Sequence, residues 1–465
     1  MTQVEAIAKY AARASFDDLS AESRRQLPIH ILDSLSCSIA ALGAGPVDAC
    51  REQVAEFGGS GPSALIGGGQ ANPIYAAFWH TVLVRYVDFM DNILAQTETA
   101  HTADNFGVAL TIADYVGGNG RDLMLAVALG YTVQSRFVDH ANFMTRGLDH
   151  TSQLAFSHNA AAGRLLSLSE QQIGHAMAMA AVSDASFAVV RAKPLSQWKG
   201  LASAQSALGA MNALFLARRG VEGPLQVIEG PLGIDHLLGM KINIDWDKEG
   251  YEGVVGSTIK KYNSMIHTQS AVHCMVELAK ANKVDPEKVT SIEAEVFQLA
   301  YDFAGGGLYG VDKVISTKEQ ADHSLPYLLA VALIDGDVMP AQFNPERIIK
   351  PDVQALLKKV SVQPNHEFTE QYPKKMPAKI TVRLQDGNVV EQEVQDYPGL
   401  ASHPFTWEEA VQKFDTLVAG RIDEGLSGEI KNAVRSVENI QVRDLMKLLG
   451  SIRVASKTTS SSKAA

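Results

Sequence analysis

Cysteine is scarce in this chain: Cys37, Cys50 and Cys274 are the three among 465 residues. They are odd in number, far apart and without a C-x-x-C, which excludes a disulfide framework and a cysteine-built zinc site. An iron–sulfur cluster draws on three or four thiolates, usually closely spaced, and is disfavoured on the same ground. The thiols read as small buried hydrophobes in a reducing compartment. Positive charge is short as well: 41 Lys and Arg face 52 Asp and Glu, a net −11. That balance argues against a nucleic-acid or anionic-membrane binder, so a site for an anionic ligand has to be local. Long apolar runs are missing too. Residues 123–133 and 176–182 are the most apolar windows and are too short to span a bilayer. Residues 1–15 carry Glu5, Lys9 and Arg13 and lack the apolar centre of a signal peptide, so a cytoplasmic location is expected.

Nucleotide-binding glycine motifs are also absent. Gly58-Gly-Ser-Gly61, Gly67-Gly-Gly69 and Gly305-Gly-Gly307 give no GxxxxGK[ST], and none joins a clear strand to a clear helix. They read as loops, and no internal repeat of fixed period appears. What is present is a globular composition, 46% apolar and 20% charged. The first half reads as one helix after another. Thr2 and Glu5 have capping-box spacing ahead of an apolar face of Val4, Ile7, Ala8, Ala11 and Ala12. Further helices are expected over about 29–42, 71–91, 103–117, 121–145, 153–165, 169–183, 199–219 and 223–229. Many are apolar on most faces, as helices inside a large helical body are.

Near residue 255 the pattern changes. Residues 292–296 and 380–384 alternate with period 2, and Asp386-Gly387 before Val389-Val390 is a hairpin signal. Helical stretches at about 267–283, 322–335 and 350–359 lie between them. From Thr406, with Glu409 at capping-box spacing, helices return to about 449. The expected fold is therefore mainly α. Residues 1–260 and 397–450 form a helical domain built from both chain ends, 261–396 an inserted α+β domain, and 451–465 a disordered Ser/Thr/Lys-rich tail.

The most informative stretch is 86–107. Asp88 and Asp91 stand three apart at an expected helix end, where they would share a face and sit unfavourably against the helix dipole. Crowded carboxylates can split their pKa values, which points to acid–base work. His101 precedes Asp104-Asn105, a pair suited to capping the next helix. Later clusters are Asp149-His150, Lys193 with Trp198-Lys199-Gly200, Lys260-Lys261-Tyr262 with His267, and Asp322-His323-Ser324 with Tyr327. They recur at domain junctions, where ligand clefts tend to lie.

Leu32-Asp-Ser-Leu-Ser36, Arg85-Tyr-Val-Asp-Phe89, His101-Thr-Ala-Asp-Asn105, Trp198-Lys-Gly200, Asp322-His-Ser-Leu-Pro-Tyr327 and His403-Pro-Phe-Thr-Trp407 occur in that order. The set resembles the MmgE/PrpD family, which includes 2-methylcitrate dehydratases and cis-aconitate decarboxylases, and the likeness runs over about 5–450. It implies a homodimer whose large helical domain carries a smaller α+β lid. It also implies a cofactor-independent hydro-lyase without a metal, acting on 2-methylcitrate in propionate catabolism or on a related polycarboxylate. The motif forms are closer to the dehydratase branch; decarboxylases tend to carry a second His ahead of the His101 position, and 92–100 has none. Carried over residue by residue, the likeness implies Asp88, Asn92, His101, His150, Lys261, His267 and Tyr327 as site residues. It also implies a cation in 193–199, with Lys199 favoured over Lys193. Two departures, Met90 between the aspartates and the lack of a strongly basic run in 396–404, allow a substrate other than 2-methylcitrate.

Dehydrating a citrate-like acid means removing a proton beside a carboxylate and protonating the departing hydroxide. About three substrate charges call for several Lys, Arg or His side chains. Lys199, Lys261, His150 and His267 are the right types, His101 oriented by Asp88 is the expected acid–base, and Tyr327 the second donor. Asn92, Lys193, Asp91, His323 and Ser324 are expected to bind substrate. The residue that takes the carbon-bound proton stays open. Within the family a decarboxylase or an epimerase is the alternative; from another class, a non-catalytic carboxylate-binding or scaffold protein.

Overall fold

The computed structural model describes residues 1–453 apart from 194, 309 and 311–313, so all but the first three positions of the expected tail lie outside the described residues. The fold is mainly α. Thr2 and Glu5 form the expected capping box ahead of Gln3–Arg13, and Thr406 and Glu409 do the same for Trp407–Val418. The expected helices appear as Pro73–Tyr86, Asp104–Tyr115, Gly120–His140, Leu154–Leu165, Glu170–Ser183 and Ala202–Ala217. Two expectations fail. The second helix starts well before residue 29, as Ala21–Ala41, because Ser20 caps it and it runs through Pro28. Residues 223–229 form turns, and a short helix follows at Ile234–Leu238.

Pro73–Tyr86 is the central helix. It packs against Ala21–Ala41, Asp104–Tyr115 and Ala202–Ala217. Gly107 permits one of these crossings: a Cβ there would lie 2.5 Å from Thr81 Oγ1. One hydrophobic core joins residues from 4–259 to residues from 405–452, because Trp407–Val418 and Glu424–Arg435 return to pack on Ala21–Ala41.

A second core takes residues from 262–400. Its sheet has four strands in the order Val360–Pro364, Val289–Val296, Ala378–Leu384, Val389–Val394. The first pair is parallel and the others antiparallel. The helices Gln269–Asn282 and Leu325–Asp335 cover one face, which matches the alternation read in 292–296 and 380–384. Strand Val360–Pro364 was not expected; its parallel pairing to Val289–Val296 is nonlocal and leaves no turn signal.

All three cysteines are free and buried. Among the described residues no single helix is long and apolar enough to cross a membrane; the bent pair Ala21–Ala41 and Gly45–Phe57 passes on composition alone, and Ala21–Ala41 is largely buried core.

Candidate active site

The chain leaves the central helix at Tyr86, and Asp88 then adopts φ +57°, a left-handed conformation that costs a non-glycine residue about 1–2 kcal/mol. Cations hold it there. Lys199 Nζ lies 2.5 Å from Oδ2, Lys260 Nζ 2.9 Å from Oδ1 and Arg85 Nη1 3.1 Å from Oδ1, while Lys260 also donates to the Asp88 carbonyl at 2.7 Å. Burial opposes the Asp88 charge, but Arg85, Lys199, Lys260 and His101 together hold its pKa well below the usual carboxylate range.

The reversal at Asp88 also separates the two aspartates. Asp91 turns into the body, where Tyr131 donates to Oδ2 at 2.8 Å and His30 Nδ1 lies 2.6 Å from the same oxygen. Thr102 Oγ1 and the Ala103 amide donate to Asp91 Oδ1 at 2.7 and 2.8 Å. Asp91 thus takes the anchoring role expected of Asp104-Asn105, and the pair neither shares a face nor crowds. Asp104 instead accepts from Ser203 Oγ at 2.5 Å, and Asn105 donates to Gln134 Oε1 at 2.8 Å.

Lys260 stands where Lys261 was expected. Asn92 and Thr258 exchange backbone hydrogen bonds of 2.9 and 2.7 Å, which lays the chain from 258 onwards beside Asp88. Along an extended segment successive side chains point to opposite sides, so Lys260 faces Asp88 and Lys261 faces away. Lys261 lines a separate cavity with Glu277, Asp337 and Glu409. The close packing of 397–400 on this crossover needs Gly399 at φ +116°, where a Cβ would lie 2.2 Å from the Ile259 carbonyl.

A cavity of about 310 Å³ opens between the two cores. The helical side gives it Asp88, Glu98, His101, His150, Arg191, Lys199 and Lys260, among others; the sheet-bearing side gives Met265, Ile266, His267, Leu299, Asp302, Phe303, Leu308 and His323. His101 Nδ1 is bonded to Asn92 Nδ2, so Asn92 rather than Asp88 orients the ring. Burial, then the Arg85 and His150 charges, pull the His101 pKa well below its ordinary value, and the opposing pull of Asp88 is too small to keep it charged. His150 is drawn down to about 3 by burial, against Asp149. His267 is drawn down to about 3 by burial, then by Lys260 and His323; its Nε2 lies 3.2 Å from Thr99 Oγ1 and 3.3 Å from the Tyr372 hydroxyl. Lys199 falls to about 8 through burial, against Asp88 and Asp322.

Arg191 is a site residue that the sequence motifs do not mark. Its Nε and Nη2 hold both oxygens of Asp149 at 2.9 and 2.8 Å, and Nη1 donates to the Lys199 carbonyl at 3.1 Å. This bidentate pair locks the turn carrying His150 to the turn carrying Lys199. Arg85 stands in the Arg85–Phe89 motif, where its i,i+3 spacing to Asp88 is the signal.

Of the other expected residues, His323 reaches the cavity with Nδ1 2.5 Å from Asp322 Oδ1. Ser324 is spent as the cap of Leu325–Asp335. Lys193 donates to the Gly310 carbonyl at 3.2 Å. Tyr327 is not brought to the site: it packs in the second core and its hydroxyl donates to the Gln342 carbonyl at 2.5 Å. Among the described residues the group spaced to hold a metal is Asp88, Asp322 and His323. Its carboxylate oxygens already face Lys199, Lys260 and Lys318, and Asp322 Oδ1 faces His323, so the donor set is committed.

A buried cluster of cations and neutral imidazoles between a helical core and a sheet-bearing core is the arrangement of an enzyme that takes small anionic substrates. The MmgE/PrpD N-terminal domain model matches residues 5–246 and the C-terminal domain model residues 262–439, and the chain belongs to this family. It is similar to the 2-methylcitrate dehydratase of Cupriavidus necator, 25% identical over 398 residues that cover 79% of this chain and 80% of that one. It is likewise similar to the mitochondrial 2-methylcitrate dehydratase of Yarrowia lipolytica, 25% identical over 385 residues, with 77% and 72% covered. An alkylcitrate dehydratase of a fungal species is 22% identical, with 96% of this chain and 93% of the relative covered. The similar proteins are thus hydro-lyases of citrate-like acids.

Proposed function

We propose that the protein is a cofactor-independent dehydratase of 2-methylcitrate or a related citrate-like polycarboxylate. The observation that carries this reading is the concentration of Arg191, Lys199 and Lys260 at one cavity, with Arg85 behind Asp88, in a chain of net charge −11. Asp88 and Asp149 hold these cations in place, and Lys, Arg and His side chains are the types that receive substrate carboxylates. Lys199, Lys260 and Arg191 bind them, and Met265, Ile266, Leu299 and Phe303 supply an apolar wall for a methyl or longer alkyl branch.

His101 is the proposed proton acceptor. An imidazole kept neutral by burial can take a proton from carbon, and Asn92, with both a donor and an acceptor, can serve either of its tautomers. With Asn92 Oδ1 turned to Nδ1–H, Nε2 is left to accept. His150 and His267 complete the polar lining. The helical body of 1–260 and 397–450 and the lid of 261–396 are proposed as the two walls, and their separate cores support that division. A homodimer is proposed as well; exposed Phe187, Val189 and Trp198 beside the Lys199 turn support it, and light scattering at the monomer mass would refute it.

The test is incubation of metal-free protein with a panel of di- and tricarboxylates, read by mass and proton NMR. Loss of water from a citrate-like acid, abolished in Lys199→Met and His101→Ala, is expected. Loss of carbon dioxide would assign a decarboxylase, an unchanged mass with altered stereochemistry an epimerase. Absence of any turnover would leave a carboxylate-binding protein.

A further inference from the structure

The proposed dehydration needs a proton donor that the cavity's histidines and lysines do not supply. His101, His150, His267 and His323 are held neutral, Lys199 and Lys260 are pinned on Asp88, and the Tyr327 hydroxyl is turned away into the second core. One further side chain of the cavity fits the task. Glu98 lies in the short hairpin whose arms are Ile93–Leu94 and Thr99–Ala100, where the Ala95 amide donates to its carbonyl at 2.9 Å. Its side chain is 1% exposed, yet it lines the cavity. The Met144 amide donates to Oε2 at 3.1 Å, while Oε1 has no hydrogen-bond partner among the described residues. Leaving a buried carboxylate oxygen unpaired is costly when the group is charged and mild when it carries a proton.

We propose that Glu98 is a catalytic residue, the protonated carboxylic acid that hands its proton to the departing hydroxide. This rests on the dehydratase reading above. Among the described residues no cation is bonded to Glu98, in contrast to Asp88 and Asp149. The groups that act on it are the Asp149 carboxylate, which disfavours its charge, and the Met144 and Phe143 amides, which favour it; Arg191, His101 and His150 share the cavity. Burial, the largest influence, raises its pKa to about 8, so the proton is present at neutral pH.

The step balances. The His101 imidazole takes the proton from the carbon beside a substrate carboxylate, and that C–H pair becomes the carbon–carbon double bond. The neighbouring C–O bond breaks with its electron pair, and the Glu98 proton passes to that oxygen to give water. Imidazolium and carboxylate remain, and solvent exchange restores both by removing one proton and returning another.

Glu98→Gln keeps the shape and removes the transferable proton. With the best citrate-like substrate, kcat is expected to fall by about 10²-fold or more while KM stays within about threefold, since the loss belongs to proton transfer. The alkaline limb of the wild-type kcat profile is expected to vanish in this variant, and Glu98→Asp to recover part of the rate. Infrared titration reports on the group without turnover: the wild type should show a carboxylic-acid band at neutral pH that titrates near 8 and is missing in Glu98→Gln. If Glu98→Gln folds poorly, the infrared titration and Glu98→Asp decide. An unchanged kcat, or a carboxyl already ionised at neutral pH, overturns the assignment while leaving the dehydratase reading intact. A wild type that dehydrates no citrate-like acid overturns that reading and this step together.

Discussion

Asp88 gathers Arg85, Lys199 and Lys260 on one buried carboxylate, and removing one member of such a set leaves charge unpaired away from water. The neighbouring lysines 260 and 261 offer a sharp comparison because the extended chain sends them to different cavities. Lys260→Met is expected to lower kcat/KM by about 10²- to 10³-fold, in line with the cost of breaking a buried ion pair. Lys261→Met is expected to stay within about threefold, since its ammonium lies 5.7 Å over the Tyr262 ring outside the candidate site. Steady-state kinetics on both variants checks this, and an equal loss in the two would refute the placement. The same residues govern stability against pH. His150 and His267 accept protons only near 3 when folded, whereas an unfolded histidine does so near 6.5. Between those values the unfolded chain binds more protons, so stability is whole above about 6.5 and falls as the pH drops through that window. Glu98 acts in the opposite direction: the folded protein keeps a proton up to about 8 that the unfolded chain gives up near 4.5, so its contribution is lost as the pH rises between them. Glu98→Gln should therefore gain stability relative to wild type at about pH 8 and gain little at about pH 5, as read from denaturant midpoints. An identical difference at both pH values would count against a proton held on Glu98.

At the scale of elements, Lys413 on Trp407–Val418 ties the C-terminal helices to the site. Its ammonium lies 2.6 Å from Asp33 Oδ1, donates to the Phe89 carbonyl at 2.7 Å and the Lys260 carbonyl at 2.9 Å, and stands 3.9 Å from the Phe89 ring centroid. It thereby clamps the segment that follows Asp88 to the segment that carries Lys260. Lys413→Met is expected to cost about 3–5 kcal/mol, and the double variant with Asp33→Asn less than the sum of the singles, because the second change removes a charge already stranded. A double-mutant cycle on unfolding free energies measures this, and strict additivity would show that the pair is not coupled. Such a tie was not legible in the sequence, since nothing local relates residues 33, 89, 260 and 413. What was legible is local: both capping boxes, the helices that position the site and the Asp386-Gly387 hairpin appear as their patterns require. The likeness of motifs pointed to His101, His150, Lys199 and His267, which the fold does bring to one cavity. It missed by one residue at Lys261, where only the Asn92–Thr258 pairing decides which lysine faces inward. Asp91 lies past the helix end at Tyr86, where helical spacing no longer relates it to Asp88. Arg191 and Glu98 gave no periodic signal; they matter through contacts that exist only once distant turns meet.

For the whole molecule, a net charge of −11 sets the surface against an anionic substrate, while the cavity between the cores attracts it. The attraction must therefore be short-ranged, screened beyond roughly 10 Å at moderate salt, and felt after the acid has entered. Entry and chemistry make opposite demands on the two walls. A hydrated polycarboxylate needs an open path, whereas proton transfer to hydroxide benefits from excluded water. The sheet-bearing wall sets Met265, Ile266, Leu299 and Phe303 beside His267, Asp302 and His323, so its approach would bring a largely apolar surface against the substrate and strip water from it. Leu308 at the cavity is 69% exposed and is suited to gain burial when the walls come together around a ligand. Binding of a tricarboxylate without the hydroxyl group, which cannot be dehydrated, is thus expected to slow amide hydrogen exchange over 97–101 and 299–308 together. The central helix Pro73–Tyr86, buried in the first core, should exchange slowly with or without the ligand. Protection confined to the helical side would mean that the anion binds without recruiting the second wall, and the closing of the cavity would have to be abandoned.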